Sequence, residues 1–179
     1  MFGIETTPVP DTALLGKYQK KSVPENLQAY ADCYSVEVGG VVTLSDFVFA
    51  FYTTPVFKLE RIILKYLAGK ASTDSEARQL ANASINAFAA WNVEQRTQEQ
   101  LLMSDFRGRT RSWFMVTPAA NTRDPRTTLW FGSAVVPIKN RKTGNQELGR
   151  AFTFLLGFHK LYSKTLLYVA RSRIEKTQT

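Results

Sequence analysis

The stretch from Glu147 to Arg173 constrains the fold more than any other, because it lacks proline and is apolar around most of a helical circumference. Lys160, Lys164 and Arg171 with Thr153 mark a narrow polar stripe. Phe152, Leu155, Leu156, His159, Tyr162 and Leu166 form one apolar flank; Phe154, Phe158, Leu161 and Tyr168 form the other. The pattern predicts one continuous helix that must be largely enclosed. A bilayer is a poor enclosure. The most apolar part, Ala151 to Ala170, carries His159, Lys160 and Lys164 at its centre, and one charge at mid-bilayer costs about 2.5–3.5 kcal/mol.

A sheet is the natural cover, and the sequence supplies one. Tyr30, Asp32, Tyr34, Val36 and Val38 alternate as a strand closed by Gly39-Gly40. Thr43 to Asp46 has capping-box spacing ahead of a short apolar helix with Phe47, Val48, Phe49, Phe51 and Tyr52. Thr54-Pro55 suits the cap and first position of a second helix. In it Leu59, Ile62, Ile63, Tyr66 and Leu67 recur at helical spacing until Gly69. Asp74 to Leu80 adds another helical turn or two. Four strand-like runs follow: Ile85 to Val93, Gln100 to Phe106, Thr110 to Val116 and Thr128 to Ile138. Their short connections predict an antiparallel meander. Residues 1–26, with Pro8, Pro10 and Pro24, read as an extended lead-in. Residues 27–173 then form one domain, and 174–179 a tail.

Composition narrows the chemistry. With 44% hydrophobic and 21% charged residues the chain can build a core without a staple. One cysteine, Cys33, excludes an internal disulfide. One histidine, His159, excludes any site needing two imidazoles. No acidic cluster has metal-ligand spacing, so neither metal nor cofactor is expected. Up to Phe106 there are 9 basic and 12 acidic residues; from Arg107 onward there are 14 and 3. A basic second half suits an anionic partner, and an anionic membrane surface is one. Arg107-Gly-Arg-Thr-Arg111 and Lys139-Asn-Arg-Lys142 could also meet phosphates. No stacking platform or recognition helix accompanies them, which argues against nucleic acid. The acid at Glu5 and the lack of an early apolar run predict no secretory signal and a cytoplasmic location.

The order strand, two helices, meander and long helix resembles the helix-grip fold of the START and birch-pollen-allergen superfamily, also called SRPBCC. The run from Phe47 through Pro55 to Arg61 is similar to an uncharacterised bacterial branch of it. The resemblance implies an α+β domain whose antiparallel sheet curves around the long C-terminal helix, with two short helices after the first strand. It also implies that a small hydrophobic or amphipathic molecule, lipid-like in character, binds between sheet and helix. On that arrangement Trp91, Phe106, Trp113, Phe131, Phe152, Leu156, His159 and Tyr162 are the candidate wall residues, with a solid core as the alternative. Some members catalyse cyclisation or hydrolysis in the same place, so a cyclase- or hydrolase-like enzyme is the second reading. A nucleic-acid or partner-binding module is the third.

For an enzyme, His159 is the candidate acid or base, paired with Asp105, Tyr162 or a ligand. Arg111 shares a strand face with Trp113 and Met115. Pointing inward it would need an anion; pointing outward it would join Arg107 and Arg109. Ser133 lacks a nucleophile elbow, and Cys33 reads as a small buried hydrophobe.

Overall fold

Two residues beside one another on a strand, Trp113 and Phe114, are both fully buried, so this sheet is covered on both faces. A computed structural model of the chain describes residues 3–19, 30–69, 71–118, 124–136, 138–139, 146–147 and 150–178. Side chains are described within these ranges except at 64, 67, 68, 138, 139, 146, 147 and 150–159. The fold is α+β. Seven strands are β1 (Glu5–Thr6), β2 (Tyr30–Gly39), β3 (Ala87–Phe88), β4 (Trp91–Arg96), β5 (Gln100–Asp105), β6 (Thr110–Pro118) and β7 (Arg126–Val135). They form one sheet in the order β1-β2-β7-β6-β5-β4-β3, every pair antiparallel. The meander from β3 to β7 is as the sequence predicts, and β2 closes beside its last strand. Ile138–Lys139 (β8) and Gln146–Glu147 (β9) make a separate small hairpin.

The first face carries Tyr34, Val36, Leu129, Phe131, Phe114 and Met103 beneath four helices. Helix α1 (Leu44–Tyr52) begins with the predicted capping box: Thr43 Oγ1 accepts from Asp46 N at 3.1 Å, and Asp46 Oδ2 accepts from Thr43 N at 3.2 Å. Its rings fill the middle of the face. Phe51 lies 4.8 Å from Phe114 and 4.7 Å from Phe131, centroid to centroid. Such pairs add about 0.5–1.5 kcal/mol each beyond burial. Helix α2 (Pro55–Ala68) starts where Thr54 Oγ1 accepts from Phe57 N at 3.1 Å, with Pro55 in the first turn. Helix α3 (Asp74–Ala81) carries its own capping box from Thr73 and Glu76.

The final helix, α4, is continuous from Arg150 to Gln178, shifted from the expected 147–173. Glu147 pairs in β9, and the expected tail is helical with Ile174 buried. Among the described side chains of α4, Leu166, Leu167, Ala170 and Ile174 are buried, whereas Leu161 and Tyr168 are exposed. Over these residues enclosure is partial, and α1 rather than α4 covers the centre of the sheet; the expected apolar flanks at residues 152–159 lie outside the described side chains.

The N-terminal segment corrects another expectation. Over residues 3–19 it belongs to the domain; the rest of the expected lead-in lies outside the described residues. β1 pairs with β2, and a 3₁₀ turn at Leu14–Tyr18 crosses the second face. There Leu15, Cys33, Leu102, Trp113, Met115 and Ala134 pack together. Gly132 permits this, since a Cβ there would lie 2.8 Å from Leu15 Cδ2 and 2.9 Å from the Asp32 carbonyl oxygen. The expected strand from Ile85 to Val93 is likewise two strands. Phe88 pairs with Trp91 around Ala89-Ala90, and Ala89 has φ +51°. Alternation continues through a tight turn in sequence but not in space.

Candidate functional site

One cavity of about 190 Å³ lies where β6 and β7 meet α1, α2 and α4. From the sheet come Thr110, Ser112, Phe131 and Ser133, and Trp91 closes one side. The helices contribute Phe51 and Tyr52, Phe57 and Glu60, and Tyr162, Ser163 and Leu166. Six of the fifteen described lining residues are aromatic. An engineered cavity of about 150 Å³ takes up benzene, so the space suits a single ring or a comparably small molecule.

Its lining also includes Glu60 and the hydroxyl residues Thr110, Ser112, Ser133, Tyr162 and Ser163. The Tyr162 hydroxyl donates to Glu60 Oε2. Burial pushes the Glu60 carboxyl above the usual carboxylate range, and the Tyr162 hydrogen bond only partly offsets this. Tyr162 is itself pushed upward, by burial first and then by the Glu60 charge. Two further groups on the wall, the Tyr52 hydroxyl and Trp91 Nε1, are buried without a hydrogen-bond partner. Burial, then the Glu60 charge, raises the Tyr52 phenol. A buried donor left unpaired costs about 1–3 kcal/mol.

Three of the eight residues expected on the wall are there: Trp91, Phe131 and Tyr162. Trp113 is not. It faces the opposite side of the sheet, where its Nε1 donates to Gln100 Oε1 at 2.9 Å. Strand alternation puts it and Phe114 on opposite faces, and the N-terminal turn supplies the cover that made its burial compatible with either. Phe106 follows the end of β5 with 47% exposure, and the Arg107 guanidinium lies 5.2 Å from its ring centroid. Phe152, Leu156 and His159 lie on α4, but their side chains are outside the described residues.

The expected catalytic set is not assembled from Asp105 and Arg111. Asp105 Oδ1 accepts from the backbone N–H groups of Arg109 at 2.6 Å and Thr110 at 3.0 Å, closing the turn at Gly108. Arg111 lends backbone to the cavity wall, yet its Nε donates to Glu94 Oε2 at 2.6 Å and the Tyr18 hydroxyl at 2.8 Å. Burial favours raising the Glu94 carboxyl, but Lys17, Tyr18 and Arg111 together hold it below its ordinary value. The Tyr18 phenol is pushed up to about 12, chiefly by burial and then by Glu94. This cluster pins the N-terminal segment to β4 and β6. Ser133 Oγ donates to Asp32 Oδ1 at 2.6 Å. Cys33 is buried, with its thiol pushed up by burial, and is a poor nucleophile. The basic run at Arg107–Arg111 thus has one guanidinium committed to Glu94. Most of the run at 139–142 lies outside the described residues.

Sequence reasoning missed Glu60 for an instructive reason. The periodic apolar row of α2, Leu59, Ile62, Ile63 and Tyr66, is 48–77% exposed. The buried side of the helix instead carries Phe57, the cavity-lining Glu60 and Arg61. Arg61 holds that orientation, with Nη1 on Asp74 Oδ1 and Nη2 on the Ser72 carbonyl, each at 2.5 Å. Among the described residues no group of acids, histidines and cysteines could hold a metal ion. None of the described helices is long and apolar enough to cross a membrane. Compared with known proteins, the sequence matches no family model and no curated protein.

Proposed function

We propose that this chain is a START-like helix-grip domain that binds a small apolar or amphipathic molecule in the cavity between its sheet and α4. The observation that carries this reading is the cavity itself, about 190 Å³ between sheet and helices, with Phe51, Tyr52, Phe57, Trp91, Phe131 and Tyr162 in its lining. Two residues of that lining, Tyr52 and Trp91, also hold a buried hydroxyl and Nε1 without a hydrogen-bond partner, a desolvation cost that a small ring shift toward a bound acceptor would offset. The cavity is small, since α1 occupies the centre of the face, and this limits the ligand to roughly the size of one ring or a short chain.

The exposed row on α2 adds support for a membrane-facing role. Leu59, Ile62, Ile63 and Tyr66 lie on the outside of the helix that sends Phe57 and Glu60 into the cavity, with Lys58 and Lys65 on the same helix. An apolar helical face with cations beside it suits an anionic bilayer surface, from which an amphipathic ligand would enter. Native mass spectrometry of the protein purified without detergent tests the binding reading. A retained molecule of small mass that is lost on substituting Trp91→Ala supports it. A uniformly ligand-free protein that also fails to take up small aromatic compounds would refute it.

Enzymatic use of the cavity is the second reading, favoured by the Glu60–Tyr162 pair. A carboxyl raised by burial and bonded to a phenol can exchange a proton with a bound molecule.

A further inference from the structure

Glu60 narrows the ligand further. Its carboxylate lines the cavity and is largely buried, and its one hydrogen-bond partner is the neutral Tyr162 hydroxyl. Among the described residues no cationic side chain pairs with it. The neighbouring Arg61 is committed to Asp74 and Ser72. Arg111 is committed to Glu94 and the Gly108 carbonyl. Arg96, close enough to act on Tyr52, donates to the carbonyls of Leu80 and Ala81 at the end of α3. A buried carboxylate without a countercharge is costly, and a cationic ligand removes that cost.

The walls around it are of the matching kind. Tyr52, Phe57, Trp91 and Tyr162 present aromatic rings to the same space, and ring faces attract ammonium groups once water is excluded. Trp91 Nε1 can only donate and is buried without a partner, so a small turn of the ring toward the cavity would suit an acceptor on the same molecule. An anionic ligand would meet that donor but would be repelled by Glu60. We infer that the cavity selects a compact organic ammonium compound bearing a neighbouring hydroxyl or carbonyl, its cation against Glu60 and its acceptor against Trp91. This rests on the ligand-binding reading and specifies its chemistry.

Three compounds that share one phenyl-carbinol frame separate the possibilities: phenylethanolamine, phenylethanediol and mandelate are a cation, a neutral and an anion of nearly one size. Titration by calorimetry at neutral pH should rank them in that order, with the amine at least about tenfold tighter than the diol. Glu60→Gln should bring amine and diol to within about threefold of one another without weakening the diol. Trp91→Phe, which keeps the ring and removes the donor, should weaken amine and diol alike. If the diol or mandelate binds the parent protein as tightly as the amine, the cation inference is overturned while the cavity reading stands. If none of the three binds, both fall. Should Glu60→Gln not fold, the ranking in the parent protein decides alone.

Discussion

Substituting Gly132→Ala tests how the N-terminal segment is built into the domain. In β7, Gly132 sits opposite Cys33 of β2 and Trp113 of β6. An added Cβ would lie 2.8 Å from Leu15 Cδ2, 2.9 Å from the Asp32 carbonyl oxygen and 3.0 Å from Trp113 Cε3. Leu15 can swing its methyl aside, but the Asp32 oxygen belongs to the backbone of the paired strand and moves only if β2 and β7 part. Overpacking of this kind costs about 1–3 kcal/mol, and the backbone contact argues for the upper half. Leu15→Ala alone empties a fully buried site and should cost about 2–5 kcal/mol. Together the two changes should not add. With the leucine removed, the new methyl fills part of its space, so the double variant should be at least about 1 kcal/mol more stable than the sum predicts. Urea unfolding followed by tryptophan fluorescence reads all four corners of the cycle. Strict additivity, or a neutral Gly132→Ala, would show that residues 13–18 do not lie on this face.

The raised Glu60 carboxyl predicts a pH-dependent stability difference. Below the ordinary carboxyl value of 4.5 the group is protonated folded or unfolded, and burial costs nothing extra. As pH rises toward the folded value the unfolded chain ionises first, so the parent protein loses stability, and the loss is complete above the folded value. Glu60→Gln, which keeps an acceptor for Tyr162, should therefore gain on the parent in melting temperature from acid to neutral pH; a gap that is constant or closes with rising pH contradicts a buried carboxyl. For the outer face of α2, replacing Ile62 and Tyr66 together by Ser should abolish co-sedimentation with vesicles containing phosphatidylserine while leaving the melting temperature within about 1–2 °C, because both side chains are solvent-exposed. Equal sedimentation of the double variant and the parent would dismiss the membrane contact.

Much of the scaffold was legible because its signals are local. The capping box at Thr43, the proline restart at Pro55 and the run of strands joined by short turns each depend on residues a few positions apart. The turn at Ala89-Ala90 was hidden because a two-residue loop preserves apolar alternation, and because Ala89, where glycine would be the usual signal, occupies positive φ. The second covered face was hidden for another reason. Leu15 lies in a proline-bounded stretch without period, and only long-range packing against Trp113 and Cys33 gives it a role.

The site itself was half legible, and the division follows from how amphipathicity is read. Trp91, Phe131 and Tyr162 lie on elements whose apolar residues point inward, so periodicity finds them. Glu60 lies on a helix where the apolar row points outward, and periodicity assigns the carboxylate to solvent. What turns α2 over is the Arg61 anchor to Asp74 and Ser72, together with Phe57 packing beneath Phe51 and Tyr52. Such an inversion costs apolar exposure that a purely structural helix would not retain. On the proposed function two contacts would compensate for it: the outer row with a bilayer, and the inner carboxylate with a cation. The cavity-lining carboxylate and the exposed apolar row are thus opposite faces of the same helix.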